Sequence, residues 1–383
     1  MAKKKEQTYY NILNLLETKA EYNMLLGQRA NGKSYSVKEV AIWEAYHESD
    51  YFEFHKNKKT VRKDRFEFGY LRRWGDDIKA RTVESYFADT PISKLTEGEY
   101  TGIEFYRGEI FFTKMDEEDD KPRRCKRCGT TFSLNGCTHY KSLSYPTIGN
   151  IIFEEFVTDN GYLPNETRNL FDIVSTISRR DDVRVFLVGN TISRLCPYFD
   201  EWELTHVLEQ KPGTIDIYHQ PSEDIDEETG DHKDIVIAVE YCATVSGTGK
   251  MFFGQKAKMI STGVWESEVY PHLEAPFREY KVRYQILYMY RKFGFIINLL
   301  VGKDKKPFVF VYPRKKPNMS SEKHIKRIIC EDFSTDQFIT QYLTKVTKYD
   351  TLVMELINDG KIVYSDNLTG TEFNQLRKDR GRL

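Results

Sequence analysis

Eight residues, Gly27-Gln28-Arg29-Ala30-Asn31-Gly32-Lys33-Ser34, constrain this chain more than any other segment. They satisfy the spacing Gly-x4-Gly-Lys-Ser. They stand between an apolar run, Tyr22 to Leu26, and a stretch from Tyr35 to Tyr46 in which Val37, Val40, Ala41 and Trp43 recur at near-helical spacing. Strand, glycine-bounded loop and helix, in that order, form the setting a phosphate-binding loop requires. Successive N–H groups and the helix N-terminus face phosphate oxygens, Lys33 reaches the β- and γ-phosphates, and the Ser34 hydroxyl takes Mg2+. The similar Gly247-Thr248-Gly249-Lys250 has Thr244 where the first glycine belongs and Met251 where a hydroxyl belongs, so it reads as an ordinary turn.

A loop of this kind hydrolyses ATP only if another strand presents carboxylates to the metal and to the attacking water. Asn150-Ile151-Ile152-Phe153-Glu154-Glu155 is the apolar run that ends in adjacent acids. Successive side chains on a strand face opposite ways, but a turn at the strand end lets both face the nucleotide. Glu154 is therefore expected to hold Mg2+ and Glu155 to act in catalysis. Val183 to Val188 reads as a further strand, closed by Gly189 and by Asn190, which is placed to touch the γ-phosphate or the water. A helix is expected from Glu166 to Ser178, with Arg179 and Arg180 at its end, either as an arginine finger or as cations favoured by the helix dipole.

Strands alternating with helices imply an α/β sheet, and 383 residues allow two or three domains. Phe66 to Leu71 is a second strand and Ile78 to Phe87 a helix. Residues 103 to 145 read as a β-meander that contains the acidic run Asp116 to Asp120 and a cysteine cluster. An acidic segment, Glu223 to Asp234, reads as a loop or linker. Beyond it, Val282 to Tyr290 and Phe293 to Val301 flank Arg291-Lys292 as a hairpin. Phe308 to Pro313 adds a strand, and helices are expected over Asp336 to Lys345 and Leu352 to Asn358. No internal repeat is evident.

Fifty-seven basic residues against 58 acidic ones give a net charge of -1, so the chain does not coat nucleic acid by bulk charge. A basic pore in a ring is still compatible with that balance. The first candidates for DNA contact are Lys79 and Arg81, followed by Lys56, Lys58 and Lys59. The apolar runs are too short to span a membrane, and Met1 to Glu6 has no apolar stretch behind its lysines, so the cytoplasm is the expected compartment. Cys125, Cys128, Cys137 and His139 offer four ligands of the kind zinc takes. Reduced thiols in a hairpin are the alternative.

With these motifs in place the chain resembles the DNA-packaging ATPases, terminase-like genome-encapsidation proteins of small podophages with protein-primed linear genomes. The resemblance runs through Tyr22 to Ser36, Gly69-Tyr70-Leu71-Arg72-Arg73-Trp74, Lys141 to Pro146, Phe153-Glu154-Glu155-Phe156, Tyr162-Leu163-Pro164-Asn165-Glu166 and Asn190 to Phe199. It implies an additional-strand P-loop ATPase domain at 1–208, a lid-like linker at 209–272 and an RNase H-like vestigial nuclease domain at 273–383. It also implies a pentameric ring on the portal of an empty prohead in the host cytoplasm, driving double-stranded DNA inward with ATP and Mg2+. A packaging RNA is left open. The family's trans-acting arginine falls on Arg179, or on Arg180 if the alignment slips by one. The family usually has Asp where Glu154 stands, and the cysteine segment appears as an insertion. The competing readings are a cellular DNA translocase or helicase, a small-molecule P-loop kinase, and a non-catalytic interaction protein with a degenerate nucleotide site.

Overall fold

The computed structural model describes residues 10–116, 121–158, 161–179, 183–191, 193–225, 232–243, 269–290, 293–302, 304–314, 325–330 and 345–380. The chain divides into two units, one running through the strand that ends at Tyr241 and one containing everything described from Val269 onward. Among the described residues no helix is long and apolar enough to cross a membrane.

In chain order the first unit contains α1 (Leu13–Glu17), β1 (Tyr22–Leu26), α2 (Lys33–His47), α3 (Tyr51–His55), β2 (Glu67–Arg72), α4 (Ala80–Phe87), α5 (Ile92–Leu95) and β3 (Gly102–Tyr106). It continues with β4 (Glu109–Met115), β5 (Pro122–Ser133), β6 (Ile148–Glu154), α6 (Glu166–Ser178), β7 (Arg184–Val188), α7 (Pro197–Glu201), β8 (Thr214–Ile225) and β9 (His232–Tyr241). Nine strands form one mixed sheet in the order β3-β4-β5-β2-β6-β7-β1-β9-β8. The six from β5 to β9 are parallel, and antiparallel strands extend both edges. β1 and β6 are buried along their whole length, which explains why they read as continuous apolar runs: a parallel sheet is covered on both faces. β7 lies between β1 and β6, so the loop strand and the acid strand are separated by one strand.

Two expectations are corrected here. The segment expected to be a linker contributes β8 and β9, and β9 pairs in parallel with β1 from Tyr22↔Ile237 to Leu26↔Tyr241. The first unit therefore runs past residue 208 through Tyr241. The zinc site is not assembled either. Along β5, from Pro122 to Ser133, the pairing with β4 shifts register twice around the cysteines, and Cys125 is exposed while Cys128 is fully buried with its thiol on the Ile110 carbonyl at 3.4 Å. Cys137 and His139 lie in a 3-10 turn beyond the strand end, which leaves Cys125 roughly 25 Å from them along an extended chain. Among the described residues no three metal-ligating side chains converge.

The second unit comprises β10 (Lys281–Tyr290), β11 (Phe293–Val301), β12 (Pro307–Pro313), β13 (Arg327–Cys330), α8 (Lys348–Asn358), β14 (Ile362–Tyr364) and α9 (Asn367–Arg380). The expected hairpin is present as β10 and β11. It forms an antiparallel meander with β12, and β13 and β14 join the two sides in parallel. At its centre the facing polar residues are amides: Gln285 Nε2 donates to Asn298 Oδ1 at 2.7 Å, both side chains buried. The expected helix over Asp336 to Lys345 and the turn Gly247 to Lys250 lie outside the described residues, Lys345 excepted.

Candidate nucleotide-binding site

The loop between β1 and α2 is built from backbone conformations that favour glycine. Gly27 has φ +145°, Gly32 has φ +100°, and Ala30 between them sits at φ +60°. A side chain at Gly27 would meet the Cys242 carbonyl and Asn31 Nδ2, both at 3.3 Å, as well as the strained backbone. The loop wraps around the Lys33 ammonium. Lys33 Nζ donates to the Gln28 carbonyl at 2.7 Å, Asn31 Oδ1 at 3.1 Å, the Gly27 carbonyl at 3.3 Å and Asn190 Oδ1 at 3.4 Å. Lys33 is only 4% exposed. Burial pulls its pKa down to about 8, with the charge of Glu154 among the influences opposing the fall. Gln28 and Asn31 are buried in the loop wall, while Arg29 is exposed. Among the described residues the Asn31 Nδ2 group has no partner.

Ser34 lies in the first turn of α2, close enough to Glu154 at the end of β6 to favour its charged form. Glu154 also accepts from the Tyr86 hydroxyl at 2.6 Å. Burial raises its pKa, against the lowering influence of the Tyr86 hydrogen bond, of Ser34 and of Arg72. Glu155 follows at φ +59°. This left-handed residue makes the turn expected from the strand end and sends the side chain to Arg72, whose Nη2 donates to Glu155 Oε2 at 2.7 Å. The two acids thus sit in different surroundings, Glu154 buried and Glu155 exposed. A cavity of about 820 Å³, lined by Tyr10, Arg29, Lys33, Ser34, Lys38 and Asn190 among others, opens over the loop. Its size is within the range of small-molecule and cofactor sites.

Other predicted residues lie elsewhere. α6 begins beside the Glu155 bend and runs back along the sheet, so Arg179 at its end donates to the Leu143 carbonyl at 2.7 Å. Arg65 ties that helix end to the first residue of β6 through the Ile148, Ile177 and Ser178 carbonyls. Thirteen helical residues put Arg179 roughly 20 Å from the acid end of the sheet, too far to serve its own chain's loop. Arg180 lies outside the described residues. Lys79 and Arg81 are exposed at the start of α4. Lys56 follows α3 at the far end of α2 and pairs with Glu17 at 3.4 Å, and Lys58 Nζ bonds the His55 carbonyl. The basic candidates therefore do not form one surface.

Sequence reasoning missed four groups that touch the site. Tyr86 holds Glu154 and Arg72 holds Glu155. Tyr10 lies across the loop, with its N–H on the Asn31 carbonyl at 3.2 Å and its hydroxyl on Glu240 Oε2 at 2.7 Å. Burial raises the Glu240 pKa to about 7. The Arg72-Arg73 pair at the end of an apolar strand was the signal available, and the charges were not assigned partners.

The sequence profile of the family described as Podovirus DNA encapsidation protein (Gp16) matches residues 4–228. Curated relatives include the DNA packaging protein of Bacillus phage B103, 28% identical over 182 residues, covering 46% of this chain and 46% of the relative. That of Bacillus phage phi29 is 26% identical over 195 residues, covering 50% of this chain and 49% of the relative. The match thus spans about half the length of these relatives. Among solved structures, the bacteriophage Phi-29 viral genome packaging motor assembly aligns with 97% of this chain and 99% of its own at 17% identity and a TM-score of 0.47. The N-terminal domain of the DNA packaging ATPase from bacteriophage phi29 aligns with 60% of this chain and 95% of its own at 23% identity and a TM-score of 0.41. Because the profile takes in more than half of the 383 residues, phosphate loop and acid strand included, the chain belongs to the Podovirus DNA encapsidation protein (Gp16) family.

Proposed function

We propose that the chain is an ATP-hydrolysing motor subunit that drives double-stranded DNA into an empty prohead through the portal. The carrying observation is a cavity over the loop lined by the buried Lys33 and by Ser34, with the charge of the buried Glu154 acting on Lys33 from the end of β6, in a chain of an encapsidation protein family. The insertion of β7 between β1 and β6 supports the additional-strand form of ATPase domain.

In this reading Lys33 exchanges its loop carbonyls for phosphate oxygens, and the N–H groups from Gly27 to Ser34 surround the phosphates. Ser34 and Glu154 are the groups that would hold Mg2+, and a hydroxyl beside a buried carboxylate is the hard oxygen donor set that ion takes. The ion supplies charge neutralisation on the phosphates when bound. Glu155, exposed and held by Arg72, orients and deprotonates the attacking water, and Asn190, already within 3.4 Å of Lys33 Nζ, contacts the γ-phosphate. Arg179 acts on the nucleotide of a neighbouring subunit, a role with which its distance from its own loop is compatible. That geometry calls for a ring, which we propose is pentameric, seated on the portal in the host cell. A packaging RNA would be a further partner. Lys79 and Arg81 are the proposed DNA contacts. The second unit is proposed to be an RNase H-like domain that has lost its nuclease acids, a reading supported by the buried Gln285–Asn298 amide pair at the centre of its sheet. A small-molecule kinase would need arginines in a lid, and residues 200 to 235 contain none.

The test is ATP hydrolysis by the full chain with and without double-stranded DNA and empty proheads. Stimulation by both together, abolished in Lys33→Ala, is expected. Hydrolysis indifferent to DNA and proheads, or surviving in Lys33→Ala, would sink the motor reading.

A further inference from the structure

We infer that Arg73, working with Glu166, is a positioning residue for hydrolysis: one guanidinium fixes the bend that aims Glu155 and, through the same atoms, the helix that ends in Arg179. The inference rests on the reading above, in which Glu155 is the base and Arg179 serves a neighbouring subunit.

Glu155 at φ +59° occupies a left-handed region disfavoured for a residue with a Cβ, and such conformations persist only where the surroundings over-determine them. Arg73 supplies that determination. Its Nη1 donates to the Glu155 carbonyl at 2.9 Å and its Nη2 to the next carbonyl, Phe156, at 2.8 Å, so the chain leaving the bend is held at two successive points. The other edge of the same group makes a two-point fork to Glu166, Nε to Oε2 and Nη2 to Oε1, each at 2.8 Å. Glu166 is the first residue of α6. Its carboxylate also accepts from the Leu163 N–H at 2.8 Å and the Tyr198 hydroxyl at 3.1 Å, which leaves it little freedom to follow a displaced partner. Phe153 and Tyr162 present their rings to the guanidinium at 5.6 and 5.1 Å.

Both members of the pair are buried, Arg73 at 6% exposure and Glu166 at 2%. A buried pair of this kind is weak evidence for added stability, because desolvation offsets much of the attraction. What it supplies is geometry. A lysine at position 73 keeps the charge, but a single ammonium cannot reproduce a planar fork on one side and two carbonyl bonds on the other. Since α6 is a continuous helix of 13 residues, a shift where Glu166 begins it is carried to Arg179 at its end. Loss of the fork is therefore expected to displace the base and the finger of the same subunit together, a signature that neither Glu155 nor Arg179 produces alone.

The experiment uses mixtures of full-length variants under the DNA and prohead conditions that stimulate the wild type. Arg179→Ala mixed with Lys33→Ala is the reference, since one chain binds ATP and the other donates an arginine. If the reference stays inactive while wild type is stimulated, the trans reading of Arg179 fails, and the proposed coupling to it fails with it. With an active reference, Arg73→Lys is mixed with Lys33→Ala to test it as the hydrolysing chain, and with Arg179→Ala to test it as the donor. Both mixtures are expected to fall below the reference by on the order of 100-fold, while Arg73→Lys alone binds ATP within about threefold of wild type. Either mixture matching the reference overturns the proposal. Glu166→Gln, which keeps the side chain's size, is expected to give the same double loss in milder form. Should both variants lose ATP binding and cooperative unfolding together, the pair is a determinant of the fold and the proposal is overturned.

Discussion

Lys33 carries the site's least ambiguous pH signature. Burial among loop carbonyls lowers its pKa from 10.5 to about 8 in the empty protein. A bound triphosphate replaces those carbonyls with anionic oxygens and returns the group towards its ordinary value, so nucleotide binding takes up a proton wherever the free protein has lost one. With a free pKa near 8 and a bound one near 10.5, the apparent affinity falls by about eightfold, or about 1.2 kcal/mol, between about pH 7.5 and about pH 9. Near about pH 9, binding should take up about 0.9 proton per nucleotide. Titration calorimetry in buffers of different ionisation enthalpy measures both quantities, and Lys33→Ala should bind weakly with no such dependence. The stability of the empty protein moves the opposite way. Between the folded and unfolded pKa values the unfolded chain binds more protons, so stability rises with pH across that window by up to about 3 kcal/mol from this group alone. An affinity that stays flat over the range, or binding without proton uptake, would refute the picture of a desolvated lysine waiting for phosphate.

Three further outcomes are expected. Glu155→Gln should bind ATP normally but hydrolyse it on the order of 100- to 1,000-fold more slowly in single-turnover assays, and near-normal turnover would remove it as the base. Tyr86→Phe deletes a hydroxyl donor that lowers the Glu154 pKa, so the acidic limb of the hydrolysis pH profile should move to higher pH; an unmoved limb would break the link. Glu44, fully buried on α2, is bonded by Lys63 and Arg184 at 2.7 Å each and by Asn150. Burial works against its charge, but those cations hold its pKa down to about 2. The stability it contributes is therefore present above its ordinary pKa of 4.5 and is lost as pH falls towards about 2. Glu44→Gln, leaving two cations uncompensated, should cost about 3 kcal/mol or more in urea unfolding at neutral pH and flatten that acid limb.

What could be read from the sequence follows from which interactions are local. The strand–loop–helix around Lys33, the acid end of β6 and the bounds of α6 were legible because buried parallel strands are continuous apolar runs, and the loop carries its glycines at fixed spacing. β8 and β9 were not legible. Their acidic half runs past the start of β1, where His232, Lys233 and Asp234 are exposed, and only Ile237 to Tyr241 enter the core sheet. The cysteine spacing resembled a ligand set because a spacing does not reveal which way each thiol faces, and β5 leaves Cys125 exposed and Cys128 buried. The partners of Arg72 and Arg73 were out of reach for another reason: Glu155 and Glu166 lie 83 and 93 residues away. Only the parallel pairing of β2 with β6 brings those positions to one edge.

The same edge explains why chemistry at this site cannot stay local. Glu154 is tied to the end of α4 by Tyr86, and the Tyr86 carbonyl accepts from Lys38 on the loop helix at 2.7 Å, while Lys38 also pairs with Asp89 just beyond α4. Glu155 is tied towards the other end of that helix, because the Arg72 guanidinium that holds it lies 3.6 Å from Asp77, ahead of Lys79. The two carboxylates thus connect, one through Tyr86 to the last turn of α4 and the other through Arg72 to the 3-10 turn ahead of it, to an eight-residue helix about 12 Å long. Movement of Glu154 towards phosphate therefore works against its bond to Tyr86 in α4, and movement of Glu155 works against its pair with Arg72. The end linked through Glu155 begins with the exposed Lys79 and Arg81, so the proposed DNA contacts sit next to the proposed base, while the end linked through Glu154 is joined to the loop helix through Lys38.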